Sequence, residues 1–343
     1  MMDRAAAVGA SDPTLRSLVA ELLAEAPAEL AIDDGLHPRF LDAALLDPAH
    51  DILRRRGKEF RSRMFESCWI LAGGAPGEHP EQLPLVVELL HTGSLVIDDI
   101  QDDSALRRGE PALHRRFGVP VALNTGNWLY FLALALLSRL GLPEPLTLRL
   151  YADVSDAVLL CHKGQALDLS THVAAVRQSE MPQLVAHATQ LKTGSLMRLA
   201  ALLGARAAGA EGERLAALAR FGAELGVGLQ MLDDWSGLTV EARRRKGLED
   251  IKLGRPTWPW AWLAESSDEV SYANLAQQAR RLSIDWEAEG LLLELQSRLH
   301  DRAPETIHLR LQCALEALSA TLGPAAAMQG LAQQIADLEM AFG

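Results

Sequence analysis

Cysteine is scarce in this 343-residue chain: Cys68, Cys161 and Cys313 are odd in number and far apart. That excludes a disulfide framework and a cysteine-based zinc site. It fits buried, reduced thiols in a cytoplasmic protein. Basic charge is short as well. The formal net charge is −12 and the pI about 5.3, which argues against broad nucleic-acid binding while leaving room for local basic pockets. No basic start with an apolar core marks a signal peptide. The longest apolar run, 128–137, has ten residues, too few for the roughly 20 that cross a bilayer, so no transmembrane segment is expected. Linkers, charge blocks and composition shifts are missing too, which predicts one domain over 1–343.

What is present is Ala- and Leu-rich sequence punctuated by proline and glycine at helix-sized intervals. Apolar residues recur at three- and four-residue steps near 13–25, 49–73, 84–103, 119–140, 146–170, 181–205 and 212–238, the spacing of one helix face. Pro84, Pro120 and Pro182 stand where first helical turns would begin. Beyond Pro256 the pattern predicts four or five shorter helices. No alternating strand pattern bounded by hairpin turns is visible. The expected fold class is all-α.

Two Asp-Asp pairs each close a long apolar helix. In the first, Asp98, Asp99 and Asp102 form a DDxxD pattern. Residues i and i+4 of a helix lie about 40° apart and i+1 about 100° from i, so the three carboxylates are expected to converge at the helix end. Crowded there, they oppose the helix dipole at about 0.3–1 kcal/mol each and repel one another. Mg²⁺, which takes oxygen ligands and substrate phosphates, relieves both effects. Arg107 and Arg108 follow at once.

The second pair, Asp233 and Asp234, lies in GVGLQMLDDWSG. Gly226 and Gly228 cost a helix roughly 1 kcal/mol apiece, which makes sense if another backbone or a substrate tail packs closely. The pair is expected to face the same cavity as the first cluster if the two helices are neighbours, and Gln230 sits one turn before Asp234. Lys58 and Arg61 in GKEFRS, Lys192 and Thr193 in LKTGSL, and Lys246 and Arg255 in KGLEDIKLGRPTWP are surface charges singly. Together with two Asp clusters they suggest diphosphate sites.

These motifs resemble, in order, those of the trans-isoprenyl diphosphate synthase (polyprenyl synthetase) family. DDIQDDSALRRG is similar to its first Asp-rich motif, KGQALDL to the GQxxDL segment with Gln165 and Asp168, LKTGSL to the KT motif, GLQMLDD to the second Asp-rich motif, and DIKLGRPTWP to the closing D(L/I)xxGKxTxP stretch. The likeness runs from about 57 to 259. It implies a single-domain helical bundle around a central substrate cavity, a homodimer, and condensation of an allylic prenyl diphosphate with isopentenyl diphosphate. Asp98, Asp99, Asp102, Asp233 and Asp234 would hold Mg²⁺, roughly two or three ions per site with Mn²⁺ able to substitute. Arg107, Lys192, Lys246 and Arg255 would contact the allylic diphosphate. Lys58, Arg61, His91 and Arg108 would hold isopentenyl diphosphate, and Gln165, Asp168, Thr193 and Gln230 would line the reaction centre.

In the family, an aromatic residue four or five positions before the first Asp shortens the product. Here Ser94 and Gly93 stand there, with Leu90, Val86 and Val87 further back. Small side chains leave a packed tunnel unblocked, which predicts a product of about twenty carbons or longer, shortened by Phe at either position. Gly237 stands where a third Asp is usual in the second motif. A terpene cyclase on the same scaffold is the alternative enzyme, with Trp235, Trp258, Trp260 and Trp262 as cation-stabilising faces. A non-catalytic regulatory subunit is the alternative outside enzymology, although such a subunit should have lost the first Asp cluster.

Overall fold

The computed structural model describes residues 37–55, 57, 60–282, 285–323 and 326–342. Almost everything described is helix. The contacts divide the chain into two compact units. One comprises the described residues up to Phe60 with Leu85–Leu142; the other comprises Arg61–Pro84 and the described residues of Pro143–Gly343. The helix expected near 13–25 and the expected ligand Lys58 lie outside the described residues.

In the first unit, α1 (His37–Leu41) runs through a π-turn (Asp42–Leu46) into α2 (Asp47–Leu53). The continuous segment expected over 49–73 is broken here, and α3 (Phe60–Leu71), which belongs to the second unit from Arg61 on, starts afresh. Helix α4 (Leu83–Gln101) buries Val86, Val87, Leu89, Leu90 and Val96, the stripe that carries the first Asp cluster. A short antiparallel pair follows, β1 (Leu106–Arg107) against β2 (Glu110–Pro111), with Arg107 opposite Glu110. No strand signal in the sequence announces this hairpin. Its two turn residues, Arg108 (φ 53) and Gly109 (φ 81), have the positive φ values of a type I′ turn, which ordinarily selects Asn-Gly. Helix α5 (Leu113–Phe117) leads into α6 (Val119–Arg139).

In the second unit, α7 (Glu144–Ser170) precedes α8 (Met181–Thr189), a π-turn (Gln190–Gly194) and α9 (Ser195–Ala207). Helix α10 (Gly212–Thr239) is the centre of this unit and packs on α9, on the π-turn and on later helices. After it come α11 (Arg244–Lys252), α12 (Trp258–Ser266), α13 (Glu269–Arg280), α14 (Asp285–Leu299), α15 (Arg302–Leu322) and α16 (Ala326–Phe342). Among the described residues, the five helices after Pro256 match the expected number.

By length and composition alone, α6 and α10 could each cross a membrane. The apolar run at 128–137 is therefore part of a longer apolar helix than a count of consecutive residues suggests. Two-thirds of the apolar window of α10 (67%) is buried within the structure, and the same helix carries Asp233 and Asp234, which fits a core helix.

Candidate active site

The first cluster is built by the end of α4. The Asp102 N–H donates to the Asp98 carbonyl (2.9 Å), so the helical turn persists and these two carboxylates share a face. Both are half-buried. Asp99 does not join them: it is 1% exposed and accepts from Arg107 Nε at 2.9 and 3.0 Å, with Arg107 Nη2 closing a second arm of the fork. Burial lifts the Asp99 carboxyl above its ordinary range, and the Arg107 guanidinium pulls against that rise. The expectation that all three carboxylates converge is thus corrected. The 100° offset of i+1 turns Asp99 toward the returning hairpin, where it orients Arg107. Arg108 donates to the Arg55 carbonyl at 2.7 Å. His91 is half-buried on α4, and its carbonyl accepts from the Ser94 hydroxyl at 2.7 Å.

Gly93 is not an open tunnel wall. A Cβ built there would lie 2.8 Å from the Gly126 carbonyl oxygen of α6, so its smallness serves a close crossing of two helices. Leu90 is buried at 2% exposure, and Ser94 is half-buried.

The second unit assembles the other motifs around the π-turn. Its Lys192 and Thr193 backbone is clasped by two glycines. A Cβ at Gly164 of α7 would sit 2.6 Å from Lys192 N, and one at Gly226 of α10 would sit 2.9 Å from Thr193 O and from Gly194 Cα. Inserted turns of this kind concentrate at functional sites. Gly226 therefore admits a backbone. Gly228 admits Leu311, whose Cδ2 would lie 2.4 Å from a Cβ added at that glycine. Neither needs a substrate tail.

From this clasp Lys192 Nζ reaches Asp168 Oδ2 at 3.1 Å, and Arg255 Nη1 donates to the Asp168 carbonyl at 2.6 Å. Gln165 lies one turn before Asp168 on the same helix, half-buried. The Thr193 hydroxyl donates to Gln230 Oε1 (2.9 Å), Gln230 Nε2 donates to Asp234 Oδ1 (2.8 Å), and the Trp258 N–H donates to Asp234 Oδ2 (2.9 Å). Burial pushes the Asp234 carboxyl up to about 7. Asp234 is therefore a fixed acceptor within a chain of hydrogen bonds. Asp233, a third exposed, pairs with Arg243, a cation that sequence reasoning passed over. Lys246 pairs with Asp250 at 3.0 Å. Arg61 and Lys192 both act on the Cys161 thiol, which burial pushes up to about 11.

Gly237 faces α11. A Cβ there would meet Gly247 Cα at 3.2 Å, and one at Gly247 would meet the Gly237 carbonyl oxygen at 2.2 Å. The place of a third carboxylate is taken by a helix. Trp235, Trp258, Trp260 and Trp262 are 1–7% exposed. Trp235 and Trp258 both contact the Trp262 ring, with centroids 6.4 and 5.9 Å away, so these aromatics form core rather than a cation-lined cavity.

Among the described residues, no three His, Cys, Asp or Glu side chains gather as a metal-holding group. The half-buried pair Asp98 and Asp102, and Asp233 separately, supply hard oxygen donors in ones and twos. This donor set fits Mg²⁺, which takes one or two carboxylates and completes its shell with waters and phosphate oxygens.

Residues 42–284 match the model of the polyprenyl synthetase family. Geranylgeranyl pyrophosphate synthase 2 of Zymoseptoria tritici is 30% identical over 306 residues, 86% of this chain and 87% of that one. A geranylgeranyl pyrophosphate synthase of Fusarium fujikuroi is 33% identical over 219 residues, 62% of this chain and 49% of its own length, so the match spans about half of that relative. Heptaprenyl diphosphate synthase from Staphylococcus aureus superposes with a TM-score of 0.74 at 19% identity, covering 95% of this chain and 96% of the other, a likeness that speaks to fold. The class these findings define is the all-α trans-prenyltransferases. The chain belongs to the polyprenyl synthetase family.

Proposed function

We propose that this prenyltransferase joins an allylic prenyl diphosphate to isopentenyl diphosphate in a Mg²⁺-dependent reaction, giving a product of geranylgeranyl length or longer. The observation that carries this is the first cluster: Asp98 and Asp102 share a helix face while Asp99 holds Arg107. One helix end thus offers a carboxylate pair for metal and a fixed cation for phosphate. Relatives named geranylgeranyl pyrophosphate synthases support the product class.

Mg²⁺, when bound, neutralises the charge that grows on the departing diphosphate. Asp98, Asp102 and Asp233 would hold it. Lys192, Arg107, Arg255 and Lys246 would bind the allylic diphosphate by charge-assisted hydrogen bonds, with Arg61, His91, Arg108 and Lys58 left for isopentenyl diphosphate. Arg107, Arg108, Lys192, Lys246 and Arg255 already rest on a carboxylate or carbonyl. They are oriented before substrate arrives and lose little on reorganising. Gln230 and Thr193, tied to Asp234, would face the allylic carbons with fixed dipoles. We infer a cytoplasmic homodimer, for which light scattering should give twice the chain mass.

Incubation with labelled isopentenyl diphosphate and farnesyl diphosphate tests the reading. A longer prenyl diphosphate supports it. A cyclic hydrocarbon would show a cyclase, and absence of product would leave a regulatory role.

A further inference from the structure

We propose that Arg55 is the positioning residue for Arg107 and Arg108; the inference rests on the reading of those two arginines as diphosphate ligands. Arg55 is not part of any motif, yet it is 3% exposed, a position that an arginine occupies only when its donors are used. They are. Nε donates to the Asp51 carbonyl (3.2 Å) and Nη1 to the Arg107 carbonyl (3.0 Å), while Nη2 donates to the Pro111 carbonyl (2.9 Å) and to Asp51 Oδ2. Arg107 lies on β1 and Pro111 on β2, so one planar guanidinium spans both strands of the hairpin.

The hairpin needs such a brace. Its strands have two residues each, and an isolated two-stranded pair is marginal at best. Its turn also places a non-glycine residue, Arg108, at φ 53, a strained conformation that persists only where the surroundings enforce it. The return contact comes from Arg55 itself: its carbonyl accepts from Arg108 Nη1 at 2.7 Å. Gly57 leaves room for that guanidinium, since a Cβ there would lie 2.8 Å from Arg108 Nη2. Arg55 thus fixes the Arg107 backbone with its side chain and the Arg108 side chain with its backbone. Through Arg107 the brace reaches Asp99, on the helix that bears Asp98 and Asp102. A lysine could not reproduce it, because an ammonium is a point donor without the planar fork.

The experiment is Arg55→Lys in the full chain, with KM for each substrate, kcat and melting temperature measured together. KM for the allylic diphosphate and for isopentenyl diphosphate should each rise at least about tenfold with kcat within about threefold, because the loosened hairpin carries both Arg107 and Arg108 and misplacing a binding group by on the order of 1 Å costs up to about a hundredfold. In an Arg108→Ala background the same change should raise the KM for isopentenyl diphosphate no further, because on that substrate the effect acts through Arg108. Unchanged KM values, a lower melting temperature alone, or additive effects in the double variant would overturn the proposal. Should Arg55→Lys fail to fold, Asp51→Asn decides: it loosens the Arg55 fork, so KM should rise, and an unchanged KM overturns the idea. If the wild type incorporates no isopentenyl diphosphate, the functional reading fails separately. Calorimetric titration with inorganic diphosphate then decides, weaker binding to Arg55→Lys than to wild type supporting the brace and equal binding overturning it.

Discussion

Adding one methyl group at Gly93 measures how the first-motif helix is held. A Cβ there would lie 2.8 Å from the Gly126 carbonyl oxygen, 3.1 Å from Tyr130 Cε1 and 3.2 Å from Leu129 Cβ. The nearest of these is backbone, which cannot rotate away as a side chain would. From the other side, a Cβ at Gly126 would stand 2.8 Å from Ile97 Cδ1, so α6 has no slack in which to retreat. Gly93→Ala must therefore open the α4–α6 crossing by several tenths of an ångström. Overpacking of this kind costs about 1–3 kcal/mol, which at this chain size lowers the melting temperature by roughly 1–4 °C. Thermal unfolding by circular dichroism reads that shift, and chromatography of products made from labelled isopentenyl diphosphate reads chain length. The expected result is a lower melting temperature with product length unchanged. Ser94→Phe, at a half-buried position next along the helix, should instead shorten the product. If Gly93→Ala melted like wild type and made a shorter product, Gly93 would border the growing chain and the crossing would not be what requires glycine.

Asp98→Ala should lower turnover by at least about 10²-fold, the scale for losing one electrostatic stabiliser, and EDTA should abolish activity until Mg²⁺ or Mn²⁺ is returned; near-normal turnover in either test refutes the metal assignment. Asp233→Ala should be as severe, whereas Gly237→Asp should destabilise rather than tighten metal dependence, because its Cβ would press on Gly247 at 3.2 Å; a stable, more active Gly237→Asp enzyme would contradict the α10–α11 contact. Asp234 keeps its proton up to about 7 when folded but releases it near 3.8 when unfolded. Between those values the unfolded chain binds fewer protons, so the metal-free protein should lose stability as pH climbs through that window. Urea unfolding at a series of pH values checks this, and Asp234→Asn should flatten the slope.

The helices could be read from the sequence because their signal is local: apolar residues at three- and four-residue steps face a core wherever that core lies. Asp98 and Asp102 were legible for the same reason, their spacing placing them on one face. Asp99 was not. Its role depends on Arg107 returning through a hairpin whose Arg-Gly turn carries none of the usual Asn-Gly signal, and on Arg55, which comes from an earlier segment and lies outside every motif. Arg243 was missed likewise, since its bond to Asp233 depends on how α10 turns into α11. The π-turn at Lys192 and Thr193 has no local signature either; it exists between Gly164 and Gly226, each on a different helix.

Glycine explains most of what the sequence left ambiguous. Within a helix the same residue can mean open space or the closest possible approach of another backbone, and only the partner tells which. Gly93, beside the first cluster, meets Gly126; Gly226, two turns before Asp233, meets Gly194; Gly237, after Asp234, meets Gly247. Both carboxylate-bearing helices are thus docked backbone to backbone next to their carboxylates, where a side-chain interface would leave the helix free to slide by the width of a methyl group. The missing third Asp of the second motif fits that packing: a Cβ at 237 would lie 3.2 Å from Gly247 Cα, so a carboxylate there requires α11 to give by a few tenths of an ångström. The same crossing holds the α11 turn that carries Lys246, whose Nζ rests on Asp250 Oδ1 at 3.0 Å.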